Sequence, residues 1–382
     1  MEAAAALRGG AEVQIDPLHV EAAVRSERHV RLRGALLEGF APLSRFWQSA
    51  DGWVRTHANY SWHEAALLRG LGTSGRDPAT VAAMIAALPS QTVEDGVYGA
   101  GGLAVAVRSS AGWAALDGAA RPLIATHIVE GAPARPDRDR LRVLDLTRVI
   151  AGPVATRMLG TLGHDVLRLD PPGRPELELH RLDGLLGKRS ALLDAATPAG
   201  LDLLHGLLAG ADVLVHGYRP GALSRFGLAP SALAERHPGL VVVGLSAWGD
   251  TPGWANRRGF DSLVQAATGL AVRHSPDGER PGALPCQLLD HATGYLLTAA
   301  VLEGVALQRE RGGTPVAELS LAATAAEVLR RPPEDDANPD PTPWLVQLGD
   351  VTAVQPPGSL DGQPLRWREP PATYRADRPA WL

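Results

Sequence analysis

The sequence predicts an α/β fold built around a parallel sheet with helices on both faces. From Leu141 onward, short apolar runs alternate with segments of helical spacing. The apolar runs are continuous rather than alternating, which is typical of strands that are buried on both faces. Strands that alternate with helices of about 10–15 residues form crossover units, and such units build parallel sheets.

Four strands are predicted in this part of the chain, over residues 142–146 (RVLDL), 165–169 (DVLRL), 212–216 (DVLVH) and 240–245 (LVVVGL). Pro171 and Pro172 close the second strand, because proline cannot donate to a ladder. Apolar residues at helical spacing predict the helices, over residues 152–163, 198–208, 230–236, 261–272 and 290–308.

The chain is predicted to contain two domains, a linker and a tail. Residues 1–132 form a smaller domain with mixed helical patterns, including short helices over residues 65–71 and 80–88. Residues 133–140 form a linker, since prolines and alternating charges follow one another there. Residues 141–330 form the large domain. Residues 331–382 are rich in proline and predict an extended tail that packs on the large domain.

Composition excludes several classes of protein. The 382 residues carry a formal net charge of −5, so we expect no nucleic acid or membrane as partner. The single cysteine, Cys286, allows no intrachain disulfide. The histidines lack metal-ligand spacing, and we expect no metal. The alanine-rich start lacks the pattern of a signal peptide, and no long apolar run is present, so a cytoplasmic protein is expected.

Six phrases stand in a characteristic order and spacing, although the sequence has no P-loop, GxSxG or HExxH motif. The phrases are RVLDLTRVIAGPVATRMLGTLGHDVLRLDPPG (142–173), GKRSALLDAATPAG (187–200), ADVLVHGYRPGALSRFGL (211–228), HPGLVVVGLSAWG (237–249), GFDSLVQAATGL (259–270) and LLDHATGYLLTAAVLEGV (288–305). Together they resemble the family III CoA-transferases, which include formyl-CoA and carnitine CoA-transferases and the related α-methylacyl-CoA racemases. The resemblance covers residues 142–322 and implies a Rossmann-like sheet with flanking helices plus a smaller α+β domain.

The resemblance places the family's nucleophilic aspartate at Asp290, in the phrase QLLDHATG. A carboxylate has a reference pKa of about 4 and is expected to be ionised at neutral pH without help. It can attack an acyl-CoA thioester to give a mixed anhydride and then an enzyme–CoA thioester, which is covalent catalysis. Taken alone, an aspartate just before a helical stretch is more typical of an N-cap, whose neighbouring N–H groups could stabilise an oxyanion.

The resemblance also implies contacts with coenzyme A, which enters as the acyl-CoA substrate. Arginine at a strand–helix junction suits a phosphate, although a single arginine taken alone is more typical of a solvated surface. A carboxylic acid is the second small-molecule partner, and family members usually form dimers, so a homodimer is expected. The positions implied as CoA contacts are Ile150, Leu193, Gly217, Tyr218, Arg219, Arg225, Arg258 and Asp261.

The sequence departs from the family pattern in three places. Ala196 stands where the family often has lysine, and Phe260 stands where the racemase branch has a catalytic histidine. A phenyl ring cannot exchange a proton, so CoA transfer is favoured over racemisation or isomerisation. Residues 49–72 resemble a segment that follows the nucleotide-fold half in the family, which indicates a permuted or truncated order. A CoA-binding homologue without turnover is the remaining alternative.

Overall fold

The computed structural model describes residues 1–7, 10–116, 120–332 and 338–382. Several helices begin as their sequence requires: α10, for example, has Pro198 in its first turn, and the Thr197 hydroxyl accepts a hydrogen bond from the backbone N–H of Gly200. The helices of the described residues are α1 Glu2–Leu7, α2 Pro17–Ala23, α3 Ser26–His29, α4 Ser61–Gly70, α5 Pro78–Ala86, α6 Ser90–Gly99, α7 Ser110–Leu116, α8 Ala151–Thr161, α9 Glu178–Gly184, α10 Pro198–Ala209, α11 Pro230–Arg236, α12 Asp261–Thr268, α13 Leu270–Arg273, α14 Leu288–Arg311 and α15 Leu321–Arg330, with 3₁₀ turns at Ser224–Phe226 and Thr342–Trp344.

The strands form one large sheet and three small ones. Their bounds are β1 Val13–Gln14, β2 Arg31–Leu32, β3 Ala35–Leu36, β4 Phe46–Gln48, β5 Trp53–Thr56, β6 Ala104–Ala106, β7 Ala125–Val129, β8 Arg142–Leu146, β9 Asp165–Asp170, β10 Arg189–Leu192, β11 Val213–His216, β12 Val241–Ser246, β13 Thr314–Ser320, β14 Leu345–Leu348, β15 Val351–Val354, β16 Ser359–Leu360 and β17 Gln363–Pro364.

The large sheet has seven strands in the order β10-β9-β8-β11-β12-β13-β7. The first six are parallel, and β7 pairs antiparallel with β13 at one edge. The parallel strands therefore follow the order 3-2-1-4-5-6 of the doubly wound nucleotide-binding sheet. The predicted α/β fold class is confirmed. The order reverses between β8 and β11, and the crevice beyond the carboxyl ends of these two strands is where such sheets bind ligands.

All four predicted strands are present within one residue of their expected ends. Three strands of the large sheet were not predicted. Strand β10 is short and contains Arg189 and Ser190, and Pro315 interrupts the apolar pattern of β13. The helix predicted over residues 261–272 is divided into α12 and α13 at Gly269, whose φ is +102°. A side chain there would collide with the backbone of Ser110, so only glycine allows this close approach.

Helices α8 and α14 pack together against the sheet and share its main core. Gly294 makes the contact possible, because a Cβ atom there would lie 2.6 Å from the carbonyl oxygen of Ala151. Asp290 lies one helical turn before Gly294 and therefore on the same face of α14. This packing brings Asp290 to the start of α8, at the switch point of the sheet.

Smaller sheets surround this domain. Strands β4, β5 and β6 pack with α4, α5 and α6 around Trp47, Leu67 and Ile85. A four-stranded sheet, β14-β15-β2-β3, joins an early segment of the chain to a late one. Residues 333–337 of the predicted tail lie outside the described residues, and the proposed domain boundaries stay a prediction. None of the helices in the described ranges is both long and apolar enough to cross a bilayer.

Candidate active site

A cavity of about 720 Å³ lies at the carboxyl edge of the large sheet. Thr147 follows β8, Gly217 follows β11 and Ala247 follows β12, and all three contribute to its wall. The cavity thus occupies the crevice at which the strand order reverses. A volume of this size is within the range of small-molecule and cofactor sites.

Asp290 belongs to the cavity wall and is its most deeply placed acid. Its side chain is buried, with 6% of the residue exposed. The expectation that Asp290 caps the helix was wrong, because α14 begins at Leu288 with Gln287 as its N-cap. Asp290 is instead the third helical residue. It faces the cavity because Gly294 holds this face of α14 against α8.

Two further carboxylates surround Asp290. The backbone N–H of Asp290 donates to Oδ2 of Asp261 at 3.0 Å. Burial is the main cause that raises the pKa of Asp290 well above its ordinary value, and the charges of Asp261 and Glu27 raise it further. Burial also raises the pKa of Asp261 to about 6. The expectation that this carboxylate keeps an ordinary pKa was therefore wrong, since neither burial nor two acidic neighbours could be read from the sequence.

Arginine side chains dominate the polar part of the wall. The guanidinium of Arg174 lies 4.8 Å from the ring centroid of Trp62, and that of Arg225 lies 4.5 Å from the ring of Phe226. Leucines at positions 193, 204, 223 and 228 supply an apolar stretch beside them. Positive charge next to an apolar slot can hold phosphates and a flat base. The arginines of the wall are Arg148, Arg174, Arg219, Arg225, Arg257 and Arg258.

An aromatic cluster from the first part of the chain forms another side of the cavity. Tyr60, Trp62 and His63 line it together with Phe260. The ring of Phe260 stacks on His57 with 4.0 Å between centroids and 8° between planes. Burial and three nearby arginines lower the pKa of His63 to about 3, so this imidazole is neutral at physiological pH. Residues before the large domain thus complete the cavity.

The loop between β8 and α8 is held in a strained conformation at the cavity wall. Val149 has a φ of +68°, which a β-branched residue rarely adopts and which costs about 1–3 kcal/mol. Its backbone N–H donates to Oε2 of Glu176 at 3.0 Å, and the same oxygen accepts from Arg168 at 3.1 Å. Buried charges therefore fix the backbone at the start of α8.

Beneath this loop, the chain's single lysine is buried. The ammonium of Lys188 lies 3.0 Å from Oδ2 of Asp145, and it also contacts the hydroxyl of Thr156. Burial lowers the pKa of Lys188 to about 8. The second oxygen of Asp145 accepts from the backbone N–H of Thr147 at 2.8 Å. This pair therefore holds the end of β8 in place.

Comparisons with known proteins agree with this architecture. The family model described as CoA-transferase family III matches residues 139–344, more than half of the 382 residues. The chain belongs to CoA-transferase family III.

Relatives in family III match only part of this chain. A probable fatty acyl-CoA transferase of Mycobacterium tuberculosis is 33% identical over 234 residues, which cover 55% of this chain and 59% of that protein. Succinyl-CoA:glutarate CoA-transferase of Mus musculus is 31% identical over 185 residues, which cover 45% of this chain and 42% of that protein. A crystal structure of a hypothetical protein from Mycobacterium tuberculosis has a TM-score of 0.47 at 31% identity, covering 52% of this chain and 59% of that one. The chain thus spans about half the length of these relatives.

Most of the positions assigned by resemblance to family III meet at the cavity. They are Asp290, Leu193, Gly217, Tyr218, Arg219, Arg225 and Arg258, together with Ala196 and Phe260. The lining, as far as the described residues define it, does not include Ile150 or Asp261. Ile150 is the buried N-cap of α8, and Asp261 lies beside the backbone of Asp290. The roles of all these residues, whether or not they line the cavity, stay predictions.

Several residues of the site were not found from the sequence. Glu27 and Glu176 lie outside the six phrases, and His63 and Arg148, although they stand within segments that resemble the family, were not singled out as site residues. Arg148 was the most accessible of these to sequence reasoning, because it follows a predicted strand at the sheet edge where ligands bind. No group of three or more metal-ligating side chains comes together within the described ranges.

Proposed function

We propose that this protein transfers CoA between an acyl-CoA thioester and a carboxylic acid, with Asp290 as the covalent nucleophile. The observation that carries the proposal is the position of the Asp290 carboxyl group in the wall of an arginine-rich cavity of about 720 Å³. Membership of CoA-transferase family III supports it. Acyl-CoA and a carboxylic acid are the proposed partners, and no metal takes part in the reaction.

The proposed reaction has four acyl-transfer steps. An Asp290 oxygen attacks the thioester carbon, the C–S bond breaks, and CoA leaves as thiolate. The thiolate attacks the aspartyl carbonyl of the mixed anhydride, which releases the donor acid and leaves an aspartyl–CoA thioester. The acceptor carboxylate attacks this thioester and displaces the thiolate. The thiolate then attacks the acyl carbonyl of the new anhydride, giving the new acyl-CoA and free Asp290.

The surroundings of Asp290 suit this role in two ways. A carboxylate with a raised pKa is more nucleophilic once it is ionised, and burial and its acidic neighbours raise the pKa of Asp290. The second feature is the start of α8, where Ala151 and Gly152 belong to the cavity wall. The first N–H groups of a helix have no partner inside it and can receive a developing oxyanion. The first turn of α14 is less suitable, because Asp261 accepts the N–H of Asp290.

Racemisation is the weaker alternative. It needs a side chain that accepts and returns a proton, and Phe260 cannot do so. His63 lines the same cavity, but its pKa is lowered to about 3, which makes it a weak base for an α-proton. A CoA-binding protein without turnover is the other alternative, and the alanine at position 196 favours it, because this residue lines the cavity where the family often has lysine.

Trapping of the covalent intermediate tests the proposal. The protein is incubated with an acyl-CoA and then with hydroxylamine, and the expected product is a hydroxamate at Asp290, located by peptide mass spectrometry. Asp290→Ala should abolish it. Asp194→Asn is the matched control, because Asp194 also lines the cavity and should be dispensable.

The same incubations separate the alternatives. CoA binding without any adduct would refute transfer and support the inactive homologue. Deuterium exchange at the α-carbon without CoA transfer would support racemisation. A panel of CoA thioesters and carboxylic acids then defines donor and acceptor, and the mass of the particle in solution tests the proposed homodimer.

A further inference from the structure

A carboxylate from the first part of the chain contacts helix α14, which carries Asp290. Glu27 belongs to α3, outside the residues 139–344 that the family model matches. It is buried, with 8% of the residue exposed. Its Oε2 lies 2.7 Å from Nε2 of His291, whose side chain is fully buried. An isolated buried carboxylate is costly, so this placement requires a partner, and His291 is that partner.

Glu27 also lies close to the backbone at the start of α14. Its carboxylate interacts with the backbone of Gln287, the N-cap residue, and hydrogen-bonds with the side chain of His291. The carboxylate therefore faces α14 at positions before and after Asp290 in the sequence. Asp261 accepts a hydrogen bond from the backbone N–H of Asp290.

We propose that Glu27 is a positioning residue for Asp290: it fixes the first turn of α14 through its contact with His291, and its negative charge sets the pH range in which Asp290 reacts. This inference rests on the proposed CoA transfer. It gives a direct role in holding the first turn of α14, which carries Asp290, to an early segment of the chain that lies outside the region of family similarity.

The charges around this cluster determine the sign of the effect. Burial raises the pKa of Asp290 most, and the charges of Asp261 and Glu27 add to it. Loss of the charge at Glu27 therefore lowers the pKa of Asp290 and moves its ionisation to lower pH. The other titratable groups that interact with Glu27 or Asp261 include His29 on α3, His180 on α9, Arg55 on β5 and Cys286 before α14.

The test is the pH dependence of Asp290 acylation in a single turnover with excess acyl-CoA, between pH 5 and 9. Glu27→Gln keeps the size and hydrogen-bonding capacity of the side chain but removes its charge. We expect its midpoint to fall by roughly half to one pH unit. A purely structural role would lower the rate at every pH and leave the midpoint unchanged, and this result would overturn the inference.

Two variants serve as comparisons. Glu38→Gln changes an exposed glutamate in the same part of the chain and should leave the midpoint where it is. His291→Gln removes the hydrogen-bond partner of Glu27 on α14, so acylation should slow several-fold. An unchanged rate would contradict the positioning role.

Failure of the proposed function gives a different result. In that case the wild-type protein forms no adduct at any pH. The inference is then tested by urea unfolding of single and double variants. The pH-dependent stabilisation that Asp290→Asn produces should be smaller in the Glu27→Gln background than in the wild-type background. An undiminished stabilisation would overturn it.

Discussion

Replacement of Asp290 by asparagine should make the protein more stable at neutral and alkaline pH while it abolishes the proposed CoA transfer. Among the described hydrogen bonds, Asp290 takes part through its backbone N–H and not through its carboxyl group. The amide has nearly the same shape, so the substitution removes a buried charge without removing a hydrogen bond of the side chain. Active sites commonly carry such a cost in stability.

The sign and size of the effect follow from proton linkage. The pKa of Asp290 is raised in the folded protein, mainly by burial, so the folded state keeps a proton that the unfolded state has lost. Stability is therefore lost as the pH rises from about 4 through the raised value. One pH unit corresponds to about 1.4 kcal/mol. For the equally enclosed Asp261, a pKa of about 6 in place of 3.8 corresponds to about 3 kcal/mol.

We expect Asp290→Asn to raise the free energy of unfolding by about 2–3 kcal/mol at pH 8 and by only about 1 kcal/mol at pH 4.5. Urea unfolding at several pH values measures both quantities. Asp202→Asn, at an exposed position of α10, is the control and should change neither. A variant that is less stable than the wild type at pH 8, or equally stabilised at both pH values, would refute the reasoning.

Further substitutions address the support of the site and its charge. Lys188→Met leaves the carboxylate of Asp145 buried without its cation and should cost about 3 kcal/mol or more in urea unfolding; an unchanged midpoint would contradict this. Gly152→Ala should destabilise the protein by about 1–3 kcal/mol, since the added Cβ would lie 2.2 Å from Cβ of Thr147. Arg225→Gln should raise KM for acyl-CoA about tenfold and leave kcat nearly unchanged, because a charge-assisted hydrogen bond contributes about 1.5–3 kcal/mol. Arg236→Gln, at an exposed position away from the cavity, is the control for this variant.

The large domain could be predicted from the sequence to a considerable extent, because its information is local. Continuous apolar runs gave β8, β9, β11 and β12, and apolar spacing gave the crossover helices. Strand β13 has a proline at position 315, and β7 pairs with it from before the linker, so neither follows from a local pattern.

The environment of Asp290 could not be predicted in the same way. Resemblance identified the residue, but its burial and charge depend on Asp261 and Glu27, which reach it through tertiary packing. The close approach at Gly294 is likewise visible only once α8 and α14 are seen together. A reference pKa describes a side chain in water, and this side chain is not in water.

The sheet β14-β15-β2-β3 can form only after the late part of the polypeptide has been synthesised. Strand β2, which begins two residues after α3, pairs with β15, where Arg31 stands opposite Thr352. A nascent chain that has left the ribosome only as far as Arg330 already contains every residue of the cavity wall, but β2 still lacks that neighbour. Strand β2, which follows Glu27, therefore gains this neighbour only late in synthesis, after helix α14 has already emerged.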